Sequence, residues 1–188
     1  DECERDPALA YAINVQGPRN LARRARGIIH FSTNYVLDPV NVYGRTKLEG
    51  ERAVLEANPD ALVIRTSWVF GPGKDNFLST VAFRLARGER VRAITDIRAS
   101  TTYVEDLVTR VLEMSGRSGV HAVVNDGVCT HELFALEAAK LVGAEPSLIE
   151  RVAEAEMNRA ARRPRSTPMT SDPPMRPWQE ALAEYVRG

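Results

Sequence analysis

Lysine is scarce in this sequence: Lys47, Lys74 and Lys140 stand against 22 arginines. Arginine serves almost wherever a surface cation will do, so each lysine is more informative than usual. Net charge is absent too, with 25 basic residues balancing 25 acidic ones. That excludes a general electrostatic attraction to nucleic acid or to an acidic membrane. It leaves room for an anionic small ligand at a local basic site. No apolar run approaches the roughly 18 residues that span a bilayer, and the charged opening Asp1-Glu2-Cys3-Glu4-Arg5-Asp6 does not read as a leader. The two cysteines, Cys3 and Cys129, are far apart and form no Cys-x-x-Cys pair. They read as reduced thiols of a cytoplasmic protein. His30, His121 and His131 are scattered without metal-ligand spacing and read as structural or surface residues. No Ser-His-Asp set, P-loop or RNA-binding signature is present.

What is present is a chain of 188 residues, 44% hydrophobic and 27% charged, within the range of one globular domain or two small ones. Helices are expected over 7–25 (interrupted at Gly17-Pro18), 41–57, 77–86, 104–114 and 131–142, with a last one opened by Pro177. Buried strands are expected over 27–33, 61–67, 91–94 and 120–124. These strands are continuous apolar runs alternating with helices, the pattern of an α/β fold whose parallel sheet is covered on both sides. A boundary is expected at Gly71-Pro72-Gly73, dividing sheet-forming residues 1–72 from a small C-terminal lobe, 73–188, that returns some elements to the sheet. Three joins read as too short, as if loop residues were missing: between helix 7–25 and strand 28–33, at Asp38-Pro39, and at Thr170-Ser171-Asp172-Pro173.

The sharpest feature is Tyr43-Gly44-Arg45-Thr46-Lys47. Residues four apart share a helix face. With five Tyr and three Lys in the chain, such a pair is infrequent by chance. A phenol ordinarily titrates near about 10, and a neighbouring ammonium favours the phenolate. The pair is then equipped to donate a proton to a carbonyl being reduced. Ser32 and Thr33 close the preceding strand, at the carboxyl end where ligands bind in open α/β sheets. Trp68 follows the next strand and can lie against a sugar ring or serve the core. Arg159, Arg162, Arg163 and Arg165 form a basic cluster, either a solvated face or an anion site for a nucleotide diphosphate.

Taken together, Ser32-Thr33-x-Tyr35-Val36, then Val42-Tyr43-Gly44-x-x-Lys47-Leu48-x-Gly50-Glu51, then Ile64-Arg65-Thr66-Ser67-Trp68-Val69-Phe70-Gly71 resemble the extended short-chain dehydrogenase/reductase family. The particular likeness is to its dTDP-4-dehydrorhamnose reductases. Cys3-Glu4, Asn14-Val15 and Gly17-Pro18-Arg19-Asn20 are similar to the family's stretch before the first of these strands. Gly73-Lys74-Asp75-Asn76-Phe77, Val124-Asn125-Asp126-Gly127 and Met175-Arg176-Pro177-Trp178 are similar to its later landmarks. The resemblance implies a Rossmann-like parallel sheet, here incomplete, with a substrate-binding lobe. It implies Tyr43 as general acid and Lys47 as its electrostatic partner, also on the nicotinamide ribose. Thr33 would polarise the C4 carbonyl, Ser32 would adjoin the cofactor, and Asn34, Trp68 and Asn76 would face the sugar. It further implies NADPH, or NADH, as hydride donor and a dTDP-sugar as substrate, and it admits Mg²⁺ and a homodimer.

Departures from the family are local. Asn34 stands where the family usually has Asp, and its Asp-Gln-x-Gly-x-Pro-Thr segment reads here Asp96-Ile97-Arg98-Ala99-Ser100-Thr101-Thr102. These bear on which sugar is bound more than on the reaction. The interval from Thr33 to Tyr43 is shorter than the family's. The family's opening Gly-rich turn, whose amides hold a pyrophosphate, is not in this sequence. The remaining readings are an epimerase or dehydratase of the same family and a non-catalytic regulatory subunit that keeps the fold.

Overall fold

The computed structural model describes residues 1–73 and 75–188, so the expectation for Lys74 lies outside the described residues. In chain order the first elements are α1 (Glu2–Arg5), α2 (Pro7–Tyr11), a π-helical stretch (Ala12–Gln16), α3 (Gly17–Ala22), β1 (Ile29–Thr33), α4 (Val42–Ala57), β2 (Leu62–Thr66) and β3 (Val69–Phe70). There follow α5 (Phe77–Ala86), β4 (Val91–Ile94), β5 (Arg98–Ala99), β6 (Thr102–Tyr103), α6 (Val104–Glu113) and β7 (Gly119–Ala122). The chain continues through α7 (His131–Val142), β8 (Ile149–Val152), β9 (Ser166–Thr167) and α8 (Trp178–Arg187).

A three-stranded sheet of order β1-β2-β7 forms the first layer. Its registers, Ile29↔Leu62 and Leu62↔Gly119, are both parallel. The pairs β3–β6, β4–β8 and β5–β9 are parallel as well, as the continuous apolar runs lead one to expect. Burial of β1 is the exception. Leu62, Val63 and Ile64 are at most 2% exposed, yet Ile29 and Phe31 are 43% and 47% exposed. Side chains alternate across a strand, and the two faces have different covers. Val63 packs under Ala22 of α3 and Val54 of α4. Leu62 and Ile64 pack under Leu107 and Val111 of α6. β1 is the edge strand, and α6 does not reach Ile29 or Phe31 on that face. The second core lies in the later residues, where Phe70 meets Phe134 edge-on and Phe134 stacks on Trp178.

Gly17-Pro18 does not break the N-terminal helix. Pro18 offers no N–H to the carbonyl four residues earlier, that of Asn14. The π-helical stretch absorbs the mismatch, with Gly17 N bonding to Ala12 O. The Asn14 carbonyl then lies against α4 where a side chain would collide: a Cβ at Gly50 would sit 2.1 Å from it. Gly50→Ala should therefore reverse the usual helical preference for Ala. We expect a loss of about 1–3 kcal/mol, read as a lower urea midpoint at unchanged slope. Equal or greater stability would mean the two helices have room to part.

The ends of α4 follow from local chemistry. The Asn41 side chain accepts from Gly44 N at 2.7 Å, a standard cap, and Glu4 accepts from Val42 N at 2.6 Å. Asn58, before Pro59, ends the helix. At Asp38-Pro39, one of the joins that read as short, Val40 N bonds to Asp38 O at 2.8 Å. Ser171 is clamped to the end of β7 by two bonds to Val124, of 2.7 and 2.8 Å.

Candidate functional site

Tyr43 and Lys47 lie on the face of α4 that meets the carboxyl end of β1. Lys47 Nζ donates to Phe31 O at 2.6 Å. Thr33 closes the same strand end, where its hydroxyl donates to Asn34 Oδ1 at 3.1 Å. Burial raises the Tyr43 pKa above its ordinary value of 10.0, Thr33 pulls it down, and Cys3 raises it slightly. Lys47 is itself lowered by burial, with Glu51 working in the opposite direction. A small apolar cleft of about 160 Å³, lined by Cys3, Leu9, Ile13, Asn14 and Tyr43, opens beside the phenol.

The other expected site residues divide. Ser32 is buried and its hydroxyl has no partner among the described residues. Trp68 holds a left-handed backbone, φ 38°, unusual for a bulky residue and a form of strain that gathers at functional sites. Its ring rests on His131 at 4.2 Å between centroids. Asn34 and Asn76 are committed elsewhere. Asn34 is 2% exposed, accepts from the Thr33 hydroxyl at 3.1 Å and donates to Thr167 of β9 at 2.6 Å. Asn76 caps α5, accepting from Ser79 N at 3.1 Å and donating to Val69 O at 3.0 Å.

A second cavity, of about 360 Å³, is lined by Asp96, Glu154 and the cluster Arg159, Arg162, Arg163 and Arg165. Two of these, Arg163 and Arg159, draw back the pKa of Tyr35, which burial raises, and the Tyr35 ring meets Tyr43 edge-on at 5.6 Å. Asn41, the α4 cap, donates to Arg162 O at 2.8 Å and ties the cluster to the helix that carries Tyr43.

The whole chain, residues 1–188, matches the model of a family described as the RmlD substrate binding domain. The chain belongs to this family. Among curated relatives, a dTDP-4-dehydrorhamnose reductase of Mycolicibacterium smegmatis is 37% identical, over 99% of this chain and 66% of the relative. That alignment runs over 218 positions, more than the 188 residues here, so the relative has residues that this chain lacks. A probable dTDP-4,6-dihydroxy-2-methyloxan-3-one 4-ketoreductase of Streptomyces antibioticus is 33% identical, over 98% of this chain and 72% of its own length. Among solved structures, a dTDP-4-dehydrorhamnose reductase of Bacillus anthracis in complex with NADP superposes with a TM-score of 0.90 at 28% identity, over all of this chain and 76% of that one.

Within the RmlD substrate binding domain family, the two later landmarks prove to brace one another. Asp126 bridges Pro177, and Arg176 forks onto Asp106 at 2.7 and 2.8 Å. Asn125 donates to the same carboxylate at 2.7 Å. Among the described residues no group of three His, Cys, Asp or Glu side chains could hold a metal ion. Sequence reasoning passed over Tyr35, Glu51 and Arg65. Glu51 was visible as the next residue in the Tyr43, Lys47 spacing; Tyr35 gave no signal.

Proposed function

We propose that the whole protein reduces the C4 keto group of dTDP-4-dehydro-L-rhamnose to give dTDP-L-rhamnose, using NADPH (or NADH). One observation carries this reading: Thr33, Tyr43 and Lys47 converge at the end of β1, next to a cavity lined by four arginines. Guanidinium forks suit phosphate oxygens, so a diphosphate over Arg159 and Arg163 would leave the attached sugar near Tyr35 and Tyr43. Relatives with this chemistry in their names, and the NADP complex, support it.

The residues near Tyr43 suit the nicotinamide end of the cofactor. The apolar cleft beside the phenol takes a flat ring, the buried Ser32 hydroxyl is unpartnered, and Lys47 spends one of its three donors on Phe31 O. NADPH, when bound, supplies the hydride that adds to C4. Thr33 hydrogen-bonds the C4 oxygen and polarises it. Tyr43, protonated at neutral pH, transfers its proton to that oxygen as the hydride arrives. Lys47 holds the ribose and stabilises the phenolate left behind.

In this reading residues 1–72 complete a cofactor-binding domain and 73–188 form the substrate lobe. The two unpaired cysteines fit a reducing compartment, the cytoplasm. No helix among the described residues is long and apolar enough to cross a membrane.

The test is NADPH consumption by the whole protein with dTDP-4-keto-6-deoxy-L-mannose. Turnover is expected. A folded, NADPH-binding protein that leaves this compound unchanged would sink the reading. A tightly retained NAD that is not consumed would point to an epimerase or dehydratase.

A further inference from the structure

One turn beyond Lys47, α4 carries Glu51, which is 2% exposed. A buried carboxylate is costly unless paired and hydrogen-bonded. Arg65 of β2 meets the need, with Nε at 3.0 Å from Oε1 and Nη2 at 2.7 Å from Oε2. His30 of β1 faces the same space and its Nε2 has no partner among the described residues. Burial, then Lys47, holds His30 down to about 4, so it adds no charge at neutral pH. Glu51 and Lys47, four residues apart, share a face of α4, and Glu51 raises the Lys47 pKa against the lowering by burial.

We propose that Glu51, locked in place by Arg65 one turn along α4, is a positioning residue for the half-buried Lys47 at the end of β1. This rests on, and deepens, the reading of Lys47 as the partner of Tyr43. A pair that served the fold alone would be dispensable as a pair, since replacing both members of a buried ion pair is often neutral, whereas removing one leaves an uncompensated charge.

With only three lysines in the chain, Lys47 can be observed directly. Reductive methylation with ¹³C-formaldehyde keeps each amine basic and gives a few NMR signals, and Lys47→Arg assigns the one that matters. Titrations of the intact protein, of Glu51→Gln and of the double variant Glu51→Gln/Arg65→Met are compared. We expect Lys47 to titrate lower by at least about one pH unit in both variants. We also expect kcat for NADPH consumption to fall by roughly tenfold or more, with KM nearly unchanged and the alkaline limb of the kcat profile moved to lower pH. A double variant that folds and keeps the original Lys47 titration would overturn the proposal. Failure of both variants to fold would overturn it as well, marking the pair as structural. The titration needs no substrate, so an unmodified protein without turnover would reject the proposed activity while the coupling of Lys47 to Glu51 is still decided.

Discussion

Tyr43→Phe is expected to lower NADPH turnover by about 10²- to 10⁴-fold, the range for a positioned general acid. The substitution removes only the hydroxyl. The ring keeps its edge-on contact with Tyr35 at 5.6 Å, and the helix caps at Asn41 and Glu4 do not involve the phenol. Stability and nucleotide binding should therefore hold while kcat collapses. Steady-state rates beside a thermal melt of each protein make the check. Turnover within about threefold of the unmodified protein, in a folded variant, would remove Tyr43 from the chemistry and leave the acid role to another group.

Acid is expected to weaken the fold strongly between pH 6.5 and about 4. Burial holds both His30 and His131 down to about 4, from an ordinary value of 6.5. Lys47 adds to the effect at His30 and Glu51 opposes it; at His131 the added charge is Arg159. The sign follows from proton counting. In this window the unfolded chain binds protons at both positions and the native one does not, so stability rises with pH. The contribution is complete above pH 6.5, is lost as pH falls, and levels off below about 4. Each tenfold change in proton affinity is worth about 1.4 kcal/mol, so roughly 2–3 kcal/mol per histidine is at stake. Urea midpoints measured from pH 7 to 4 test this. His131→Phe, set between Trp68 and Phe77, should flatten part of the slope. A flat profile in the unmodified protein would show that neither ring is held neutral by burial.

Much of this molecule was legible because much of it is local. The helices over 41–57 and 131–142 and the one-turn spacing of Tyr43 and Lys47 depend on residues within a few positions of one another. The continuous apolar runs were enough to make the strands parallel. By itself the sequence determined an α/β chain with a Tyr-Lys helix following a Ser-Thr strand end. What only the tertiary structure decided lies across long separations. It left Ile29 and Phe31 uncovered at a sheet edge. It spent Asn34 on Thr167, 133 residues away, and turned the Lys47 ammonium to the Phe31 carbonyl. It set Arg65 on Glu51 and the arginine cluster beside Tyr35. Capping and periodicity are fixed by neighbours along the chain, whereas a side chain's partner depends on which distant segment packs against it.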